Sequence, residues 1–162
     1  MAKKPKQPRQ PGKKPSRGGG GAPPDPVDEK IRQFKAEVGN RQLNPEQAKV
    51  YHAFTKKNGK DVYVHVADCD GVVLKITLES SKEVRKILLR HYKTNNGTVT
   101  AIQILNMFNV VRYASRKYDS QGNTVYERLQ KRNGIKYHTV IKIFSNGNDA
   151  VLKSFHSSIG HK

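Results

Sequence analysis

The chain has 162 residues, of which 31 are Lys or Arg and 13 are Asp or Glu, giving a formal charge of +18. A field of that sign attracts polyanions, nucleic acid above all. No run approaches the roughly 18 apolar residues of a spanning helix, and residues 1–26 lack a signal-peptide pattern, so we expect no membrane partner. The single cysteine, Cys69, excludes a disulfide framework and a cysteine-based zinc site. The histidines show no metal-ligand spacing, so we expect neither a metal nor a cofactor.

The first 26 residues differ in composition from the rest of the chain. They contain seven of the eight prolines and seven Lys or Arg, with no aromatic residue. Such a segment buries too little apolar surface to offset its ordering entropy, and it is predicted to be a disordered basic arm. Its cations would bind phosphates without reading sequence. They are Lys3, Lys4, Lys6, Arg9, Lys13, Lys14 and Arg17.

Residues 27–162 have the composition of a single globular domain, and their first part is predicted to contain two helices and a hairpin. Val27–Val38 is predicted to be a short helix. Asn44 is predicted to cap a second helix, with a proline at its first position and a glutamine at the capping-box position. Two strands follow, Asp61–Ala67 and Val72–Leu78, joined by a turn.

Two further helix starts come next in the chain. Ser80 to Glu83 has the spacing of a capping box and opens a helix whose apolar face includes Ile87 and His91. Thr100, with Gln103 three residues on, starts a short apolar helix.

The hydrophobic period then changes from that of a helix to that of a strand. Four antiparallel strands are predicted in a meander: Val110–Tyr118, Thr124–Lys131, Ile135–Phe144 and Ala150–His156. The predicted fold class is therefore α+β, with the helices packed on one face of an antiparallel sheet and the basic arm in front.

The turns between the strands predict which side chains share a face of the sheet. A two-residue loop at Asn133-Gly134 pairs Glu127 with Val140, and the turn Ser145–Asp149 pairs His138 with His156 and Lys142 with Leu152. One face then holds the core residues Tyr126, Ile135, Tyr137, Thr139, Ile141, Ile143, Val151 and Phe155. The other face holds Glu127, Lys131, Lys136, His138, Lys142, Ser154 and His156, together with Leu129, Val140, Phe144 and Leu152.

The second face carries residue types that suit RNA cleavage without a metal. Such cleavage needs a base for the 2′-hydroxyl proton, an acid for the leaving 5′-oxygen, and a cation or hydroxyl for the developing charge. Histidine titrates near the working pH and serves either proton transfer. Glu127, His138, Lys142, Ser154 and His156 supply every role. A solvated sheet surface in a basic protein carries similar residues, so both interpretations stay open.

His91 has two interpretations as well. It lies on the apolar face of its predicted helix, where a hydrogen-bonded core histidine is the common outcome. It also ends that helix, beside Arg90, where a histidine can point into a cleft. Because the helices are expected on the face opposite His138 and His156, we expect only one of the two histidine sets to be functional.

Four short segments, which span roughly residues 80–158, carry a family resemblance: Lys86–His91 (KILLRH), Thr100–Val111 (TAIQILNMFNVV), Gly134–Ile143 (GIKYHTVIKI) and Val151–Ser157 (VLKSFHS). In this order they resemble the metal-independent ribonuclease group of barnase, EndoU, colicin and RelE type, in its phage-associated and polymorphic-toxin branches. The resemblance implies an endoribonuclease with helices on one sheet face. It matches His91 to the family's helix histidine and Ser154 to the Ser/Thr of the last strand.

The leading hypothesis is a metal-independent endoribonuclease, toxin-like or phage-associated, that leaves a 2′,3′-cyclic phosphate. The expected catalytic residues are His91, His156 and Ser154, with Glu127 or His138 as an alternative base. The expected partners are RNA and an acidic immunity or antitoxin protein. The expected location is the cytoplasm of the host or target cell, with virion delivery as a route.

Arg90, Arg112, Lys136 and Lys142 are the expected phosphate contacts within the domain. Arg112 is included because Val110–Tyr118 is predicted to be an outer strand of the same sheet. Two other functions explain the charge. A non-catalytic packaging or nucleocapsid-type protein would use the arm to neutralise phosphates and the domain to oligomerise, and a ribosome-associated structural protein would use only the charge.

Overall fold

A computed structural model describes residues 25–56 and 59–159. The prediction of a disordered arm, with its seven cations, falls on residues 1–26 and therefore lies almost entirely outside the described residues. The described chain is α+β with one six-stranded, mostly antiparallel sheet, which confirms the predicted α+β class.

The described residues form five helices and six strands. The helices are α1 Pro26–Val38, α2 Pro45–Thr55, α3 Glu83–Arg90, α4 Ala101–Leu105 and α5 Met107–Tyr113. The strands are β1 Val62–Ala67, β2 Val73–Leu78, β3 Ser115–Tyr118, β4 Thr124–Gln130, β5 Ile135–Ile143 and β6 Asp149–Ile159. In the chain, β1 and β2 lie between α2 and α3, and the other strands follow α5.

Two of the predicted capping boxes are confirmed. At α2 the Asn44 side chain accepts from the Gln47 amide at 2.8 Å, and the Gln47 side chain accepts from the Asn44 amide at 3.1 Å. At α4 the Thr100 hydroxyl accepts from the Gln103 amide at 3.2 Å, and the Gln103 side chain accepts in return at 2.8 Å. These reciprocal bonds satisfy amides that a helix start leaves without partners, so local sequence defines both starts.

The capping box predicted at the start of α3 is wrong. Helix α3 begins at Glu83 after Lys82, which makes no side-chain cap bond. The Ser80 hydroxyl is buried without a hydrogen-bond partner. The Glu83 carboxylate is bound instead by Lys86 at 3.2 Å and by Lys153 of β6 at 2.8 Å. A tertiary ion pair therefore replaces the local cap.

The six strands form one sheet in the order β1-β2-β6-β5-β4-β3. All neighbours are antiparallel except β2 and β6, which are parallel over three residue pairs, Lys75–Thr77 with Asp149–Val151. Past Val151, α3 and the loop after it run alongside β6, and the Ser157 amide donates to the Gly97 carbonyl at 3.1 Å. The short parallel pairing thus brings α3 next to the last strand.

The predicted strand Val110–Tyr118 is wrong in its first half, which belongs to α5. Met107, Phe108, Val110 and Val111 are all buried, a spacing that places them on one side of a helix. Only residues from Ser115 onward form a strand. Arg112 therefore does not lie on the sheet, and its guanidinium pairs with Glu46 of α2.

The sheet curls around α5, which contacts β1, β4 and β5 although β1 lies at the opposite end of the sheet from β3 and β4. Asp68, in the turn between β1 and β2, accepts a hydrogen bond from the Tyr126 hydroxyl of β4 at 2.8 Å. It also pairs with Arg116 of β3. The two ends of the sheet are therefore connected through a buried carboxylate.

The register between β4 and β5 differs from the predicted one by two residues. The loop between them contains the four residues 131–134 rather than two, and Glu127 pairs with His138 instead of Val140. A shift of two residues preserves the face of every side chain. Tyr126 is accordingly buried in the core as predicted.

The pairing of β5 with β6 is confirmed at one end and wrong at the other. His138 pairs with His156 and Val140 with Ser154, as predicted. The register then shifts between Val140 and Ile141, so that Ile141 pairs with Leu152 and Lys153 is the extra residue of a β-bulge. The bulge places the residues of β6 that precede it on the sheet faces opposite to those predicted. Leu152 is buried in the core, whereas Val151, predicted to be there, is half-buried and pairs with Lys142.

Candidate functional site

Three histidines lie in a row on the sheet face opposite α5. The His138 and His156 rings stack with centroids 4.9 Å apart and planes 15° apart. The His91 ring lies on the other side of His156, with a centroid separation of 5.2 Å. The prediction that His91 would lie on the opposite face from the other two is therefore wrong. We call His91, His156 and His138 the histidine row.

Each histidine of the row is positioned by a different element. His138 and His156 are direct partners on β5 and β6. His91 follows the last residue of α3, and its Nδ1 lies 3.2 Å from the Asn96 carbonyl oxygen. Gly97 supplies the close approach of this loop to β6, because a Cβ there would lie 3.0 Å from His91 Nδ1 and 3.2 Å from the Ser157 carbonyl oxygen.

Polar side chains contact two members of the row. The Ser154 hydroxyl lies 3.0 Å from Nδ1 of His156. His138 has the Ser158 hydroxyl 2.7 Å from Nε2 and a Glu127 carboxylate oxygen 3.4 Å from Nδ1. The five residues predicted to be catalytic are therefore brought together in one continuous set.

The row perturbs the proton affinity of its members. Burial and, to a smaller extent, the nearby His138 and His91 together lower the pKa of His156 to about 4. Burial also lowers the pKa of His138, partly opposed by the negative charge of Glu127. His156 is therefore a neutral imidazole at pH 7, with a nitrogen available to accept a proton.

Glu127 is held by two lysines at the end of the row away from His91. Lys117 lies 3.1 Å and Lys136 3.2 Å from the same carboxylate oxygen. Burial would raise the pKa of Glu127, but hydrogen bonds from Lys117 and Lys136 and the charges around it lower the pKa. Lys136, predicted to contact phosphate, is engaged with this carboxylate.

A cavity of about 400 Å³ opens over the row. His91, His156 and Ser154 line it, whereas Glu127 and His138 lie behind them. Its cations are Lys86 and Arg90 of α3 and Lys153 of β6. Its remaining polar lining is Glu83 at the start of α3 and the turn 119–123 between β3 and β4. We call this the histidine cavity. An anionic group bound there would contact imidazole, hydroxyl and cationic side chains at once.

Unlike the predicted catalytic residues, the predicted phosphate contacts are not brought together in one place. Arg90 lines the histidine cavity, whereas Lys142 is exposed outside it and Arg112 is paired with Glu46 on α2. Lys153 and Lys86 also line this cavity, although no sequence pattern predicted either contact. The bulge that turns Lys153 toward the cavity has no local sequence signal, and the carboxylate that binds both lysines, Glu83, is at the position where the sequence predicts a helix cap.

A larger cavity of about 750 Å³ lies between α4, α5 and the loop that joins β4 and β5. Its lining contains no histidine or carboxylate, and it includes Ile102, Asn109, Leu129 and Arg132. Tyr137 and Phe155, whose rings stack at 6.4 Å, close its inner end. It lacks groups that exchange protons near neutral pH, so the histidine cavity is the candidate for chemistry.

Comparison of the chain with protein-family models, curated proteins and solved structures finds no match. Within residues 25–56 and 59–159, no three His, Cys, Asp or Glu side chains are grouped so that they could hold a metal ion. No helix in this part of the chain is long and apolar enough to cross a membrane. Function is therefore inferred from the chemistry of the histidine cavity.

Proposed function

We propose that the protein is an endoribonuclease that cleaves RNA by attack of the 2′-hydroxyl, using its own side chains for acid–base chemistry. The observation that carries this proposal is the pairing of His156 with His91 at 5.2 Å in one cavity, beside the Ser154 hydroxyl. One histidine can take a proton while the other gives one. Such a pair suits the transfer of a proton across a phosphate diester.

His156 is assigned as the base because its pKa of about 4 keeps it neutral at pH 7. It takes the proton of the 2′-hydroxyl, and the 2′-oxygen forms a bond to phosphorus. The bond from phosphorus to the 5′-oxygen then breaks, and protonated His91 delivers a proton to that oxygen. The products are a 2′,3′-cyclic phosphate and a 5′-hydroxyl, and water restores the two histidines to their starting states by proton exchange.

The remaining residues of the cavity stabilise charge. Lys86, Arg90 and Lys153 supply cations near the phosphate, and the Ser154 hydroxyl can donate to a phosphate oxygen. His138 and Glu127 do not line the cavity, so they are positioning residues: the His138 ring stacks on His156, and Glu127 contacts His138 Nδ1. This assignment favours His156 over Glu127 or His138 as the base.

The test is incubation of the full chain with end-labelled RNA in EDTA. Removing either proton-transfer group should lower the cleavage rate by about 10²- to 10⁴-fold. We therefore expect His156→Ala and His91→Ala to lose cleavage by this factor, while a gel shift shows nearly unchanged RNA binding. His65→Ala removes an exposed histidine on β1, outside the cavity, and should cleave like the wild-type chain.

Two results would contradict the proposal in different ways. Cleavage at the wild-type rate by both cavity variants would remove the assignment of the site. RNA that stays intact with the wild-type chain, yet shifts on a gel until salt is raised, would indicate a non-catalytic packaging protein that binds through charge alone.

A further inference from the structure

A second cavity, of about 520 Å³, adjoins the histidine cavity at the N-terminal end of α3. Glu83, Lys86 and Lys153 line both cavities and stand at their junction. Lys82 and Arg85 lie on the far side of the second cavity. The two cavities therefore form one groove, with the histidines at one end and the start of α3 at the other.

A stripe of basic side chains runs along the groove. Lys86 and Arg90 are four residues apart in α3, which places them on one side of the helix about 6 Å apart. Lys82 directly precedes α3 and lines the second cavity together with Lys86. Lys153 adds a cation from β6 beside the middle of the stripe. We call Lys82, Lys86, Arg90 and Lys153 the basic stripe. Its regular spacing suits successive phosphates of an extended strand.

Glu83 is the buried acid at the centre of the groove, with a relative exposure of 6%. Its carboxylate oxygens lie 3.2 Å from the Lys86 ammonium and 2.8 Å from the Lys153 ammonium. Burial would raise the pKa of Glu83, but hydrogen bonds from Lys153 and Lys86 outweigh burial and lower the pKa. The carboxylate stays ionised and draws one lysine from the helix and one from the strand to the same point.

Bases of a single strand can splay out of the stack and enter a cavity of about 400 Å³, so a single strand suits the histidine cavity better than a duplex does. The backbone of that strand can leave the cavity across the junction, where Lys86 and Lys153 meet. The opposite wall of the second cavity carries Glu79, and Arg85 is engaged with Asp25 at 3.5 Å. The cations therefore favour a backbone path over the basic stripe rather than along the wall that carries Glu79.

We propose that a single RNA strand runs along the basic stripe, with its cleaved phosphate in the histidine cavity and flanking phosphates on Lys86, Lys153 and Lys82. In this arrangement Glu83 is a positioning residue that fixes the two lysines at the junction. The identity of the strand as RNA rests on the function proposed above, whereas the path of its phosphates rests on the groove.

The experiment measures how a 2′-O-methyl decanucleotide, which lacks the attacking hydroxyl, binds to the full chain at several salt concentrations. Each phosphate contact to a single strand contributes about 0.7 to the slope of log affinity against log salt. Lys82→Ala should therefore lower that slope by about 0.7, and it should slow cleavage of an unmodified decanucleotide by a larger factor than cleavage of a dinucleotide. Lys49→Ala removes the same charge from an exposed site on α2 that lines neither cavity, and should leave the slope unchanged.

Glu83→Gln in the same assay separates positioning from simple charge. Removing a negative charge would tighten RNA binding if Glu83 acted through its charge alone. Loss of the anchor for Lys86 and Lys153 should instead weaken decanucleotide binding, by about tenfold for one or two displaced phosphate contacts. Glu79→Gln removes the same charge from the wall of the second cavity and should not weaken binding.

The outcomes separate this proposal from the proposed nuclease activity. Equal salt slopes for Lys82→Ala and Lys49→Ala, or tighter binding by Glu83→Gln, would overturn the path along the stripe. A wild-type chain that cleaves neither substrate, while Lys82→Ala still lowers the slope, would overturn the nuclease and leave the groove as the strand-binding surface.

Discussion

Two carboxylates of this protein, Asp68 and Glu127, each collect basic partners, but their surroundings differ. Asp68 is wholly buried and accepts from two backbone amides, a tyrosine hydroxyl and Arg116. Glu127 contacts two lysines and His138, beyond which the row continues to His91 at an open cavity. The first network is enclosed within the fold, where the Asp68 carboxylate is surrounded by donors. The second ends in groups that face solvent, and only such groups can act on a ligand.

Breaking the first network should have the largest effect on stability. Burial would raise the pKa of Asp68, but hydrogen bonds from Tyr126, Arg116 and the turn amides lower the pKa, so the carboxylate is ionised in the fold. Asp68→Ala would leave the guanidinium of Arg116 without its buried partner and disconnect the two ends of the sheet. We expect a loss of about 3–5 kcal/mol in the free energy of unfolding, measured by urea denaturation.

Asp70 provides the matched control for this prediction. Its carboxylate also pairs with Arg116, at 3.4 Å, but its side chain is 61% exposed. Asp70→Ala should cost less than about 1 kcal/mol, because solvent screens an exposed ion pair. Equal losses for the two variants would mean that the buried network contributes no special stability.

The histidine row should instead make stability depend on pH. The pKa of His156 falls from 6.5 to about 4 on folding, because of burial and then the neighbouring histidines. Between those values the unfolded chain binds the proton more readily, so the free energy of unfolding rises with pH and falls as pH drops. From pH 6.5 to 4.5 the loss due to His156 should be about 2 kcal/mol. Urea denaturation of the wild-type chain and of His156→Gln at both pH values measures this difference.

His65→Gln is the control for the titration. His65 is exposed on β1, and its replacement should leave the pH dependence of the wild-type chain intact. A His156→Gln variant that loses as much stability on acidification as the wild-type chain would show that His156 does not carry the depressed pKa.

The smallest predicted effect concerns the loop that positions His91. Gly97 has a φ of +63°, and a Cβ there would approach His91 Nδ1 to 3.0 Å. Gly97→Ala should cost about 1 kcal/mol of stability from its backbone conformation and should also displace the imidazole. We expect a drop in RNA cleavage beyond the loss of folded protein, measured at a temperature where the variant stays folded.

Gly147 separates the two contributions. It also has a positive φ, +81°, but a Cβ there would meet nothing within 4 Å. Gly147→Ala should show the same backbone cost with unchanged cleavage. If both variants cleave at the wild-type rate, the position of His91 does not depend on the close approach of Gly97.

The candidate site could be predicted only in part, where it depends on the alternation of side chains along a strand. The predicted pairing of His138 with His156 is confirmed because the β-bulge offsets a one-residue difference in register at the turn between β5 and β6. Strand alternation places Ser154 on the same face as His156. The place of His91 could not be predicted in this way. It depends on how far β2 and β6 stay paired, which is a long-range property of the sheet. Lys153 was missed because a β-bulge depends on packing at both faces, and its residues carry no distinct pattern.

The sequence by itself determined the α+β class, the caps of α2 and α4, and the set of side chains on each face of β4. These follow from hydrogen bonds and periodicities that extend over only a few residues. Only the tertiary structure decided that Met107–Tyr113 is a helix, that Arg112 pairs with Glu46, and that α3 lies along β6. Burial of apolar side chains against distant elements outweighs local strand or cap preference at these positions, because each buried side chain contributes more free energy than a single propensity.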